Sequence, residues 1–166
     1  MSIIKPNNNT ISAITALPAA IPTGKVLQVV HGSTTTQVAV SSDTLTDTTL
    51  TANITPSSTS NKILVIATHN SNYVSNGNVN NALRLVLIRG STQIGRTGGV
   101  NWTSDTESGI LSSASFNVVD SPSSTSAVTY KTQFANINGT AEAAVQKTFG
   151  GSWDTTSYIT LMEIAG

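Results

Sequence analysis

Residues 62–67 (KILVIA) form a run that is apolar without a break after Lys62 and lies between a turn-rich segment and a loop rich in Asn and Ser. The run is short and rich in β-branched residues, so it predicts a strand with both faces buried rather than a helix. A second run, residues 82–88 (ALRLVLI), has the same character, except that Arg84 interrupts one face. The residues that we expect in the core or in an oligomer interface are Ile63, Leu64, Val65, Ile66, Leu83, Leu85 and Leu87.

Strands of this kind need cover on both sides of their sheet. A second sheet of the same chain can supply one cover, but the sequence shows no helical apolar pattern that could supply the other. Another copy of the chain is then the expected second cover. The sequence therefore predicts an antiparallel β-sandwich that oligomerises through one of its sheets.

The composition favours the same fold class. The chain has 166 residues, enough to bury one core, and 38% of them are hydrophobic. Only 10% are Asp, Glu, Lys or Arg, where about 25% is usual, and Ser, Thr and Asn take their place. Thr suits a pleated strand, whereas Ser and Asn suit turns. An all-β domain over residues 25–166 is the expected result.

About nine strands at short spacing are expected, which indicates a sandwich or a barrel. Residues 141–149 are among the expected strands, whereas residues 98–109 are expected to form a polar loop. Two turns, at residues 54–60 and 120–126, share the letters PSSTS. Because the strands around them do not match, we interpret the likeness as convergent turn chemistry rather than as an internal repeat.

Charge and cysteine content exclude several classes of partner. The formal net charge is zero and the basic residues are scattered, so neither nucleic acid nor an anionic membrane is an expected partner. The chain has no Cys, which excludes disulfides, thiolate chemistry and Cys-based zinc sites and suits assembly in a reducing cytoplasm. No stretch approaches the ~20 apolar residues of a membrane span.

Residues 1–24 differ from the rest of the chain because three prolines, Pro6, Pro18 and Pro22, interrupt them. Proline removes a backbone donor and disfavours helix in the residue before it, so the segment is expected to be an extended arm. The arm either packs on its own domain or docks on a neighbouring subunit or a larger assembly. Its candidate docking residues are Ile3, Ile4, Ile11, Ile14 and Leu17.

The sequence contains no recognisable catalytic or metal-binding motif. The two histidines, His31 and His69, are expected at strand ends, where an imidazole is usually solvated or bonded to backbone. A catalytic triad needs a histidine base beside an orienting acid, and neither histidine lies in a nucleophile motif. Two histidines without Cys or a close carboxylate also make a poor metal site. We therefore expect no enzyme activity, no cofactor and no metal.

One loop could bind a ligand. Trp102 lies close to Asp105 and Glu107, and tryptophan rings stack on sugars, while paired carboxylates can support glycoside hydrolysis. The alternative is that Trp102 packs against the end of the sandwich or a neighbouring subunit.

Five separated segments carry a resemblance to a known family. They are residues 9–18 (NTISAITALP), 24–30 (GKVLQVV), 54–65 (ITPSSTSNKILV), 120–131 (DSPSSTSAVTYK) and 158–166 (YITLMEIAG). Together they resemble a domain that recurs in virion proteins of tailed phages, especially those of cyanobacteria and marine bacteria. The resemblance implies a jelly-roll-like β-sandwich that forms trimers and serves as a fibre tip, a knob or a capsid decoration, and it brings no catalytic motif.

The expected function is that of a non-enzymatic phage virion protein, a homotrimeric capsid decoration or cement protein that is assembled in the host bacterial cytoplasm. Its partners would be further copies of itself and the phage major capsid protein, to which the arm helps to fix it. The capsid is favoured over the fibre because the chain begins at Met1 and shows neither heptads nor β-helix repeats. The alternative is a tail-fibre tip or knob module that binds host surface glycan or protein. A glycan-cleaving enzyme has the least support.

Overall fold

The structure of the chain is a computed structural model that describes residues 24–75, 81–103, 110–148 and 155–166. These residues form strands and connecting turns and contain no helix. The strands make two antiparallel sheets that pack face to face. The predicted all-β antiparallel sandwich is therefore confirmed.

Sheet A is built around the longest described strand, β4. The β8 strand pairs with one edge of β4, while β11 and then β10 pair with the other, and β1 and β2 lie beyond β11 and β10 respectively. The strands of sheet A are β1 (Val26–Thr34), β2 (Val38–Val40), β4 (Lys62–Val74), β8 (Ile110–Asp120), β10 (Ala143–Val145) and β11 (Ser157–Ile164).

Sheet B is built around β5, the second apolar run of the sequence. The β9 strand pairs with one edge of β5 and β3 lies beyond it, whereas β6 and β7 share the other edge of β5. The strands of sheet B are β3 (Thr46–Ile54), β5 (Asn81–Arg89), β6 (Thr92–Arg96), β7 (Val100–Thr103) and β9 (Val128–Asn136).

The core lies between the two sheets and is filled by alternate residues of each strand. Ile63 and Val65 of β4 face Leu83, Leu85 and Leu87 of β5, and all five side chains are fully buried. Removing side chains of this size from water contributes roughly 1.5–3 kcal/mol each. Five of the seven residues that were predicted for the core or an interface are thus core residues.

The two apolar runs differ on their outer faces. Val86 and Ile88 are buried within the single chain, and their cross-strand neighbours include Gln133 and Lys131, whose long stems can lie over them. Leu64 and Ile66, on the outer face of β4, are only half-buried. Both faces of β5 are therefore buried within the single chain, whereas cover of the outer face of β4 by a second copy of the chain stays a prediction.

Tertiary pairing also changes the predicted boundaries. The described residues hold eleven strands rather than about nine. Residues 100–103, predicted as loop, form β7 because Val100 pairs with Leu83 of β5. Of residues 141–149, only Ala143–Val145 is described as strand. Strand formation in a polar segment depends on a partner, which local sequence does not reveal.

The two similar turns have equivalent places in the fold. Residues 55–61 lead from β3 in sheet B to β4 in sheet A, and residues 121–127 lead from β8 in sheet A to β9 in sheet B. They lie side by side because β4 pairs with β8 and β3 pairs with β9. The shared turn chemistry therefore serves the same task, crossing between sheets at one end of the sandwich.

Candidate interaction surface

Four apolar side chains form a continuous row across the outer face of sheet A. Val29 pairs with Met162, Met162 with Leu64, and Leu64 with Val119, so the row crosses β1, β11, β4 and β8 in register. Directly paired residues of neighbouring strands point to the same face of a sheet, which brings these side chains together. Val29 is 57% exposed and Val119 is 59% exposed. We call this set the apolar row.

The apolar row continues into a partly polar surface. The next row contains His31, Thr160, Ile66 and Asn117. His31 Nδ1 lies 3.2 Å from Thr160 Oγ1, and its ring centroid lies 5.6 Å from that of exposed Tyr158. His31 thus lies in the middle of β1. The expectation that it lies at a strand end is wrong.

The outer faces of the two sheets differ in charge. On the outer face formed by β1, β11, β4 and β8, Lys62 is the one Lys, Arg, Asp or Glu among the described residues, because Glu163 and Asp120 point inward. The outer face of sheet B carries Asp47, Arg84, Arg96 and Lys131. Protein interfaces are depleted in charged residues at their centres. The outer face of sheet A therefore has the composition of an interface, and that of sheet B has the composition of a solvated surface.

A buried polar chain crosses the core at His69. His69 Nε2 lies 2.7 Å from Thr132 Oγ1, which lies 2.6 Å from Thr48 Oγ1, and His69 Nδ1 lies 3.2 Å from Gln146 Nε2. All four residues are fully buried. Burial lowers the pKa of His69 to about 4, because it penalises the charged imidazolium. The expectation of a solvated histidine at a strand end is wrong for His69.

A hydroxyl beside an imidazole can act as a nucleophile that the imidazole activates as a base. Thr132 and His69 are such a pair, but they are enclosed in the core. Among the described residues no carboxylate contacts the ring of His69, so nothing there stabilises an imidazolium. Neither Thr132 nor His69 is exposed to solvent. The sequence does contain a signal for this burial: continuing the alternation of Ile63, Val65 and Ala67 places residue 69 on the same buried face.

Glu163 is a second buried polar group that the sequence analysis missed. One carboxylate oxygen accepts hydrogen bonds from Ser57 N at 2.6 Å, Ser57 Oγ at 2.8 Å and Asn61 Nδ2 at 2.6 Å. The other accepts from Gln28 Nε2 at 2.6 Å. Burial by itself raises the pKa of Glu163. The hydrogen-bond donors lower the pKa by more than burial raises it, so the resulting pKa is about 2. Glu163 thereby ties β1, β11 and the turn at residues 55–61 together.

The remaining predicted sites cannot be placed in the fold. Residues 1–23, which include Ile3, Ile4, Ile11, Ile14 and Leu17, lie outside the described residues, as do Asp105, Glu107 and the side chain of Trp102. Within the described ranges no three His, Cys, Asp or Glu residues come together as a metal site. The described part of the chain also holds no helix long and apolar enough to cross a bilayer.

No family model matches the chain, and no curated protein matches it.

Proposed function

We propose that this chain is a non-enzymatic structural protein of a phage particle, most specifically a homotrimeric capsid decoration or cement protein. The observation that carries the proposal is the nearly uncharged outer face of sheet A with its apolar row from β1 to β8. An exposed apolar surface of this kind is typical of a surface that another protein covers. The phage particle and the trimer come from the resemblance of the sequence to tailed-phage virion domains.

A second copy of the chain is the occupant that fits this face. Three such faces can meet around one axis with little charge to remove from water, because Lys62 is the one charge that the described residues of each face contribute. The outer face of sheet B carries Asp47, Arg84, Arg96 and Lys131, of which Asp47 and Lys131 form an ion pair, so covering it would remove more charge from water. Sheet A is therefore the side through which copies associate.

A structural role is also supported by the chemistry of the two histidines. His69 is sealed in the core, and His31 bonds to Thr160 on a face with no described carboxylate. Within the described part of the chain, neither histidine has the orienting acid that a histidine base needs. In this proposal residues 1–24 help to fix the trimer to the major capsid protein.

Two measurements test the proposal. Light scattering of the full chain at micromolar concentration is expected to give the mass of a trimer, and a monomer mass would contradict self-association. Electron microscopy of phage particles with antibody against the chain is expected to label the capsid shell. Label at the fibre tips would instead favour the tail-fibre module, and absence of label would remove the virion role.

A further inference from the structure

An open hollow of about 370 Å³ lies at the end of the sandwich where the similar turns cross. Its walls are the hairpin that joins β5 to β6, the connection from β8 to β9, and the start of β9. The hairpin is held in place because Gly90 N donates a hydrogen bond to Thr129 O at 2.8 Å. No residue that lines the hollow belongs to β1, β4, β8 or β11, so the hollow is separate from the outer face of sheet A.

Arg89 lines the hollow, and one nitrogen of its guanidinium, Nη1, bonds to Asp120 and Ser121. Its Nη1 donates to Asp120 Oδ1 at 2.8 Å, to Asp120 Oδ2 at 3.0 Å and to Ser121 O at 3.2 Å. Asp120 is itself held, because the hydroxyl of Tyr130 donates to Oδ2 at 2.7 Å from a fully buried position. The chain Tyr130–Asp120–Arg89 therefore orients the guanidinium before any ligand arrives.

The rest of the guanidinium is free to bind. Arg89 Nε and Nη2 have no hydrogen-bond partner among the described residues, and neither atom is buried. The Nε and Nη2 hydrogens form a planar fork that matches the two oxygens of a carboxylate. Arg89 lines the hollow and its side chain is 27% exposed, so solvent can reach the part of the guanidinium that has no partner.

We propose that the hollow binds the carboxylate of an acidic saccharide, a hexuronate residue, on the Nε–Nη2 edge of Arg89. Ser91 and Thr92 place exposed hydroxyls beside the hollow that can bond to sugar hydroxyls. Pro122 and Ala127 provide an aliphatic wall for the ring carbons. Asp120 neutralises Arg89, so recognition depends on the directed hydrogen bonds.

The test uses the full chain labelled with ¹⁵N and titrated with methyl glucuronide, methyl glucoside or acetate. Methyl glucuronide is expected to shift the amide signals of Gly90, Ser91 and Thr92 in a saturable way, and the other two ligands at least about tenfold more weakly. Ser91→Asp places a carboxylate at the rim without touching the Asp120 contact, and it is expected to weaken binding at least tenfold. Arg96→Gln removes an exposed arginine of the adjacent β6 and serves as the matched control, with unchanged binding.

Four outcomes would overturn the site. Glucoside binding as strong as glucuronide binding would mean that no carboxylate is recognised. Acetate binding as strong as glucuronide binding would mean that the saccharide ring contributes nothing. Unchanged binding by Ser91→Asp, or no saturable shift within the solubility of the ligand, would mean that the hollow is not the site. None of these results bears on the oligomeric state, so the inference can fail while the proposed structural function stands.

Discussion

His69 Nε2 lies 2.7 Å from Thr132 Oγ1, and this contact joins the two sheets inside the core. His69 belongs to β4 of sheet A, whereas Thr132 belongs to β9 of sheet B. Behind the imidazole, Gln146 Nε2 also donates to Ser157 Oγ, and the whole chain of contacts is closed to water. A buried polar chain stabilises a fold when its members are bonded, and loss of one member leaves the others without partners.

Replacing His69 is therefore expected to destabilise the protein. His69→Ala leaves a cavity and removes one hydrogen-bond partner each from Thr132 and Gln146, at a cost of about 2–4 kcal/mol in the free energy of unfolding. His31→Ala is the matched control, since exposed His31 should cost no more than about 0.5 kcal/mol. Urea denaturation at pH 7.5 measures both. Equal small effects would show that the contact contributes little.

The lowered pKa of His69 predicts that acid destabilises the fold. The pKa of His69 is about 4 in the folded chain and 6.5 in a free histidine. As the pH falls, the unfolded chain therefore binds a proton at this residue before the folded chain does. The contribution of neutral His69 to the free energy of unfolding is fully present above pH 6.5. It declines as the pH falls towards 4, by on the order of 3 kcal/mol. Denaturation midpoints between pH 7.5 and 4.5 should show this decline, and His69→Gln should flatten it. A wild-type profile that is flat over this range would contradict the prediction.

Glu163→Gln tests the carboxylate that ties the turn to β11. Glu163 is 1% exposed and accepts four hydrogen bonds. The side-chain amide of the variant places its own N–H donors where Ser57, Asn61 or Gln28 already donates. A loss of about 1–3 kcal/mol in the free energy of unfolding is therefore expected at pH 7. The folded pKa of about 2 lies below the ordinary 4.5, so wild-type stability is lost as the pH falls from 4.5 towards 2. The difference between variant and wild type should accordingly shrink at pH 3, and a constant difference would exclude an electrostatic origin.

Val119→Glu tests the apolar row. Val119 is exposed in the single chain, so the substitution should leave the fold intact, but association would bury an unpaired carboxylate in every copy. A cost of about 2 kcal/mol per contact corresponds to roughly 30-fold weaker association. Sedimentation velocity should show dissociation for Val119→Glu and none for Gln93→Glu, which adds the same charge to exposed β6. Val65→Asp should instead unfold the chain, because Val65 is a core residue. Intact assembly of Val119→Glu would exclude sheet A as the interface.

Removal of residues 1–24 tests the arm. The described strands pair among themselves from residue 26 onward, so the truncated chain is expected to fold and to remain a trimer. Each large aliphatic side chain of the arm would contribute roughly 1.5–3 kcal/mol on burial, before the entropy of ordering the arm is subtracted. Truncated protein should then bind undecorated capsids far more weakly, with unchanged melting of the free trimer. Equal binding would show that the arm is not the anchor, and loss of the trimer would place the arm in the domain's own core.

The sequence by itself determined that the chain folds from strands and which two segments supply the central strands. The runs at residues 62–67 and 82–88 predict strands because an apolar side chain must leave water wherever it lies in the chain. These signals are local, since each is carried by neighbours in sequence.

The tertiary structure alone decided which residues meet. The apolar row needs Val29, Leu64, Val119 and Met162 in one register, and they come from four strands spread over the whole chain. Gln28 and Glu163 bond across 135 residues of sequence. Local propensity carries no information on such partners, because register is set by the packing of complete strands and by the turns that join them. The contact of His69 with Thr132, the hydrogen bonds of Glu163 and the orientation of Arg89 therefore appear only once both sheets are in place.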